Sequence, residues 1–220
     1  MKKRLSGLLI AMALLLLLTA CGSTGNSDNE NSSQQNKESV QAAESKGAYD
    51  AGKADDADKN VIVVYFSWSG HLDSMAHWVA DETDGDLFRV TAKEDYPEDY
   101  NETADRAKSE QDNGVRPEIN IDLTQEQMAK YDTVFLGFPV WWYDLPMPMW
   151  TFLESYDFSG KIIIPFFSHE GSSNGANALP TVEALANGAD FRKDDALSIR
   201  GGKVDSSEND VREWVRSLDY

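Results

Sequence analysis

The pattern of apolar and polar positions divides the chain near residue 60. Before that point a single apolar run, Leu8 to Leu18, follows a basic start, and residues 22–60 hold only Val40 and Tyr49 as sizeable apolar side chains. Beyond it, apolar blocks recur at short intervals. Residues 61–66, Val-Ile-Val-Val-Tyr-Phe, run without alternation, the pattern of a strand covered on both faces in a parallel sheet. Leu72, Met75, Ala76 and Val79 then fall at i, i+3, i+4 and i+7, which predicts a helix from about His71. Residues 87–91 predict a shorter, more exposed strand, 100–111 a helix, 115–117 an extended segment, and Thr124-x-x-Gln127 a capping-box helix start. Two further buried strands are expected at 133–137 and 161–167. A helix over 178–186 closed by Asn187-Gly188, a weak strand at 197–199 and a last helix bearing Val211, Trp214, Val215 and Leu218 complete the series. Strands alternating with helices over about 160 residues predict one α/β domain, 61–220, with a parallel sheet, right-handed crossovers and helices on both faces.

The first sixty residues change the picture of where the domain works. Met1-Lys2-Lys3-Arg4, the apolar run and a small-residue site make residues 1–20 a signal peptide, and the run is too short to span a bilayer permanently. The following Leu18-Thr19-Ala20-Cys21 resembles the bacterial lipobox, whose cysteine receives diacylglycerol; an ordinary secretory signal with an incidental cysteine is the alternative. The resemblance implies lipidation of Cys21, the only cysteine, and an extracytoplasmic place in a bacterial cell envelope, with membrane contact through the lipid alone. Residues 21–60 read as a disordered tether, too poor in apolar residues to offset its ordering entropy. With one cysteine no intrachain disulfide can form, so packing must hold the domain.

Charge excludes several partners. The formal net charge is -18; setting aside three signal-peptide cations and the tether's eight acids and four lysines leaves residues 61–220 at -17. Such a field argues against charge-driven binding to nucleic acid or anionic lipid headgroups. No metal site is expected.

Ligands of open parallel sheets sit beyond the carboxyl ends of strands at the switch point, so candidate chemistry is confined to the loops after the three buried strands. The first, Ser67-Trp68-Ser69-Gly70, leads into a helix whose unpaired N–H groups suit a phosphate, with hydroxyls and a glycine for close approach. No Lys or Arg lies between residues 61 and 82, and neither G-x-x-x-x-G-K-[ST] nor G-x-G-x-x-G is present. A plain junction with Ser69 as N-cap explains the same residues. The second loop, Gly137-Phe138-Pro139-Val140-Trp141-Trp142-Tyr143-Asp144-Leu145-Pro146, packs adjacent aromatics that cannot all face one core. At least one ring should turn outward, where a flat ligand stacks for about 0.5–1.5 kcal/mol beyond area burial; rings folded over a helix end are the alternative. The third, Ser168-His169-Glu170-Gly171-Ser172-Ser173-Asn174-Gly175, contains G-x-S-x-G, the hydrolase nucleophile elbow. Hydrolase order places a histidine after the serine, yet His71, His77 and His169 all precede Ser173.

Together these loops resemble the flavodoxin-like family, in its bacterial branch. The resemblance is carried also by Tyr96-Pro97-Glu98-Asp99-Tyr100, Arg116-Pro117, Tyr131-Asp132-x-Val134-Phe135-Leu136-Gly137, Thr151-Phe152-Leu153-Glu154 and Gly160-Lys161. It implies a three-layer flavodoxin-like sandwich on a five-stranded parallel sheet of order 2-1-3-4-5. It further implies non-covalent FMN, with phosphate in the turn from Ser67 through Trp68, Ser69, Gly70 and His71 to Leu72. The isoalloxazine would lie between Pro139, Val140, Trp141, Trp142 and Tyr143 on one side and Ser168, His169, Glu170, Gly171, Ser172 and Gly175 on the other.

Relatives usually read [ST]-x-[ST]-Gly-Asn-[ST] at the first turn. Here His71 and Leu72 replace two polar positions, Leu72 offering only its N–H, and Glu170 stands where relatives tend to have a small residue. Asp73 is expected to repel a phosphate, by about 4 kcal/mol at 4 Å in an effective dielectric near 20. The function implied is an envelope-anchored FMN redox protein, passing electrons to an unidentified protein partner or reducing small molecules such as quinones. No residue need act as an acid or base, His169 being the one candidate. A lipoprotein that keeps the fold but captures an extracellular ligand without turnover is the alternative.

Overall fold

A computed structural model describes residues 60–171, 175 and 177–220. The signal peptide, Cys21, the tether through residue 59 and Ser172 lie outside the described residues. Seven strands and six α-helices are formed among the described residues: β1 (Val61–Phe66), α1 (His71–Thr83), β2 (Asp86–Ala92), α2 (Tyr100–Asp112), β3 (Ile119–Asn120), α3 (Gln125–Met128), β4 (Thr133–Pro139), α4 (Met147–Ser155), β5 (Ile162–His169), α5 (Ala178–Leu185), β6 (Asp190–Phe191), β7 (Leu197–Arg200) and α6 (Glu208–Arg216).

The sheet runs β3-β2-β1-β4-β5-β6, with β7 also on β5. β6 and β7 pair different halves of β5, at Ile162–Ile163 and Phe166–His169, so together they form one interrupted edge strand. The parallel core β2-β1-β4-β5-β7 is therefore the expected order 2-1-3-4-5. Two short strands exceed the expected five: β6, and β3, which pairs antiparallel with β2 through only two residues.

Strand alternation makes the layers. Ile62, Val64 and Phe66 of β1 join Phe152 of α4 and Val182 of α5 in one buried cluster. Val63 and Tyr65 join Met75 of α1 and Val211 of α6 in the other. Each buried strand thus supplies two cores, which is why none shows a polar face. Helix α4 has no counterpart in the periodicity. Its sequence, MPMWTFLES, is apolar on nearly all sides until its last residues and starts behind Pro146, which sets its N-terminus. α3 carries the expected capping box, Thr124 Oγ1 accepting from the Gln127 N–H and Gln127 Oε1 from the Thr124 N–H.

The chain leaves β1, passes to β2 on one side, and crosses back to β4 on the other. The carboxyl ends of β1 and β4 therefore flank the switch point, and the loops after β1, β4 and β5 meet above it.

Candidate functional site

Above those strand ends lies a cavity of about 470 Å³, walled mainly by apolar surface, within the usual size range of small-molecule sites. Three predicted loops reach it: Trp68, Ser69 and His71 from the first, Pro139 to Tyr143 from the second, and Ser168 to Gly171 from the third. A fourth wall comes from α2, through Tyr100, Thr103, Ala104 and Ala107.

The turn after β1 is closed by its own hydrogen bond, the Gly70 N–H donating to Ser67 Oγ at 3.2 Å. Ser67 is buried, and Gly70, not Ser69, occupies the N-cap position of α1, with φ of 92° and no side chain capping the helix. No atom lies within 4 Å of where a Cβ on Gly70 would stand, so the turn faces open space. Leu72 does not border the cavity; it is 1% exposed and packs beneath β1 with Val63 and Tyr65. Its departure from a polar residue is thus a core requirement, and its N–H alone remains at the helix start.

Asp73 does not stand uncompensated, as the local sequence suggested. Arg89 Nη1, from the neighbouring strand β2, lies 3.2 Å from Asp73 Oδ1, and Arg89 Nη2 donates to the Ser67 carbonyl at 2.9 Å. Asp73 Oδ1 and Arg89 Nε have no aligned hydrogen-bond partner among the described residues, so the contact is a charge pairing rather than a directed bond. Parallel pairing of Tyr65 with Arg89 brings that cation beside a turn whose own stretch contains none.

The turn after β4 is a two-residue reversal. Trp141 N–H donates to the Asp144 carbonyl and Asp144 N–H to the Trp141 carbonyl, both at 2.9 Å. Its central residues, Trp142 and Tyr143, have φ of 47° and 69°, the left-handed pattern of a type I′ turn that normally carries Asn-Gly. The three adjacent rings go three ways. Trp141 packs edge-on against Phe66 and Tyr96, with centroids at 5.5 and 5.1 Å. Trp142 lies over α2, its Nε1–H donating to the Ala104 carbonyl at 2.9 Å with Lys108 Nζ 5.8 Å from the ring. Tyr143 is 64% exposed. Tyr143 is the ring that turns outward, while Trp142 lies over the middle of α2 and not over a helix end.

Ser168 is buried and its carbonyl accepts from the Val140 N–H, which ties the second loop to the third. His169 turns Nδ1 to the Gly171 carbonyl of its own loop. Gly175, φ 74°, is buried against Phe167 rather than at the cavity; a Cβ there would come within 2.8 Å of that ring.

A flavodoxin family model matches residues 60–218. The chain belongs to the flavodoxin family. Among solved structures it is similar to a Bacteroides uniformis protein assigned as a flavoprotein, at 30% identity and a TM-score of 0.62, covering 73% of this chain and 100% of that one. It is also similar to a Lactobacillus acidophilus flavoprotein in complex with FMN, at 27% identity and a TM-score of 0.53, covering 68% and 98%. No curated protein matches the chain.

Of the remaining motifs, the stretch from Tyr96 to Tyr100 holds the α2 wall of the cavity, and the others tie strands and helices together away from it. Asp99 caps α2 by accepting from the Asn101 and Glu102 N–H groups, and the Pro97 carbonyl accepts from Trp68 Nε1 and Thr103 Oγ1. Tyr96 donates to Glu110, and Arg106 binds Glu110 while lying 4.1 Å over the Tyr96 ring. Burial foremost, then the Glu110 hydrogen bond, pushes the Tyr96 phenol well above its ordinary range. Arg116 pairs with Glu154 through both Nε and Nη2, and Lys161 Nζ donates to the Tyr131 carbonyl. Sequence reasoning missed the α2 wall. The signal was present, because Thr103, Ala104 and Ala107 form a small-residue face on an otherwise charged helix.

Proposed function

We propose that this flavodoxin-family protein binds FMN non-covalently and transfers electrons, or reduces small molecules such as quinones, at the outer side of a bacterial cytoplasmic membrane, held by a lipid on Cys21. The observation that carries the reading is the cavity: about 470 Å³, lined by Trp68, Trp141, Trp142 and Tyr143, and opening beside an uncapped helix start. The FMN complex of a 27% identical relative supports it.

The residues present fit the cofactor. The first-turn N–H groups of α1 and the hydroxyl of Ser69 would receive the ribityl phosphate, in the open space that Gly70 leaves. Indole and phenol rings of the second loop would face the isoalloxazine across from the 168–171 turn. Bound FMN supplies one- and two-electron chemistry. The chain orients the ring, excludes water from it, and surrounds it with a net negative field. That field opposes added negative charge, and each ~1.4 kcal/mol of such opposition lowers a one-electron potential by about 59 mV.

Fluorescence-quenching titration of the full-length protein with FMN tests the reading. Saturable quenching is expected, with a yellow complex bleached by dithionite and recoloured by a quinone or a protein acceptor. Absence of quenching overturns flavin binding. Saturable quenching without recolouring by any acceptor replaces the redox role with ligand capture.

A further inference from the structure

The stretch from residue 61 to 82 holds no Lys or Arg, and the fold brings a cation to it from the next strand. Arg89 lies opposite Tyr65 in the parallel register of β1 and β2. Along β2, Phe88 and Val90 join the core cluster that contains α4 and α5, whereas Leu87 packs against the cluster that contains α1 and α6. Arg89 shares the face of Leu87, so it stands on the α1 side of the sheet. There its guanidinium makes two contacts. Nη2 donates to the Ser67 carbonyl at 2.9 Å, and Nη1 stands 3.2 Å from Oδ1 of Asp73, in the first turn of α1. Ser67 is thereby held at both ends, since its Oγ accepts from the Gly70 N–H. The described peptide bonds are trans, so a carbonyl fixed on Arg89 also sets the direction of the Trp68 N–H, which points the opposite way. Trp68 and Ser69 border the cavity, and Arg89 stands behind them without bordering it.

We propose that Arg89 is the positioning residue of the turn after β1: it fixes the Ser67–Trp68 peptide and cancels the charge of Asp73, so that a flavin phosphate meets oriented amides in a locally neutral turn. The inference rests on the FMN reading above. Both tasks together need a fork. One N–H must reach a carbonyl while another faces a carboxylate, which a planar guanidinium does and an ammonium, a single point charge, does not. Other cations around the cavity are engaged elsewhere: Arg106 with Glu110, Lys108 with Asp112 and Arg200 with Glu170. The side chains of Arg89 and Asp73 are 33% and 27% exposed, and a pair open to solvent contributes little to folding. Its consequence falls on an anion. Without Arg89 the turn keeps a bare carboxylate and an unheld peptide, and both weaken the hold on a phosphate while leaving an uncharged flavin unaffected.

FMN and riboflavin, which differ by the phosphate, are titrated into the full-length protein at low ionic strength, with fluorescence quenching as the readout. Arg89→Met keeps the apolar stem and removes both contacts; FMN affinity is expected to fall about tenfold, with riboflavin affinity within about twofold. Arg89→Lys keeps the charge but serves only one of the two partners, for a loss of about threefold toward FMN alone. Adding Asp73→Asn to Arg89→Met regains about threefold of that loss, because the repulsion goes while the peptide stays unheld. Urea midpoints show which variants are folded, and Arg89→Lys decides the matter if Arg89→Met is not. An FMN-to-riboflavin affinity ratio unchanged in either variant of Arg89, or a double variant no tighter toward FMN than Arg89→Met, overturns the inference and leaves the flavin reading standing. So does an unaltered protein that binds both flavins equally. Failure of the unaltered protein to bind either flavin overturns both.

Discussion

The turns after β1 and β4 border the same cavity and both hold residues in the left-handed region, yet they meet that demand in opposite ways. After β1 the position goes to Gly70, with open space around it and no strain. After β4 two consecutive positive-φ positions go to Trp142 and Tyr143, residues that adopt this conformation at about 1–2 kcal/mol each. The difference follows from what each turn presents. The first offers backbone N–H groups, and a side chain there would only obstruct them. The second offers rings, so the bulky residues stay where Asn-Gly would be cheaper. Backbone strain held beside a cavity is the pattern expected where side chains serve a ligand, which is the role the flavin proposal gives them. Its support is visible: the reciprocal Trp141–Asp144 bonds, the Asp144 carboxylate accepting from the Leu145 N–H and from Thr181 Oγ1, and the Asn177 N–H donating to the Tyr143 carbonyl.

The largest effect is expected from exchanging the two solutions at the first turn. Gly70→Val puts a β-branched residue at φ 92° without a steric neighbour, so backbone strain alone should lower stability by about 2–3 kcal/mol, read as a fall in the urea midpoint at constant slope. An unchanged midpoint would show that this turn is not fixed in the left-handed form. The converse exchange, Trp142→Asn with Tyr143→Gly, removes strain but also a half-buried ring and the bond to Ala104. Stability should rise by about 1 kcal/mol net, while flavin affinity falls about tenfold for the loss of two stacking rings. Stability and affinity falling together would dissolve the contrast, since the aromatic turn would then be merely structural.

Much of this architecture was legible in the sequence, for identifiable reasons. β1, β4 and β5 are unbroken apolar runs because each feeds both cores, and a run of that kind has one common structural meaning. Their order and the three loops at their ends followed from the family resemblance and from the geometry of parallel sheets. Features set by contact across distance were not legible. Arg89 stands beside the turn after β1 through strand pairing, so the stretch from 61 to 82 looked bare of positive charge. The left-handed pair at 142 and 143 was invisible because Trp-Tyr carries no turn signal, and α4 because an almost wholly apolar helix has no polar face to mark its period.

The smallest effect separates the ring from its anchor at the second turn. Trp142→Phe keeps an aromatic face and the strained φ but deletes the Nε1–H bond to the Ala104 carbonyl, made where the side chain is 44% exposed. Water can replace a donor lost at that exposure, so stability should fall by only about 0.5 kcal/mol and flavin affinity should stay within about twofold. If flavin affinity instead drops as far as in the Asn-Gly exchange, the hydrogen bond to α2 is what aims the ring. The small-residue face of α2 would then be the element that holds the second turn in its strained form, and the contrast between the turns would lie in their supports and not in their sequences.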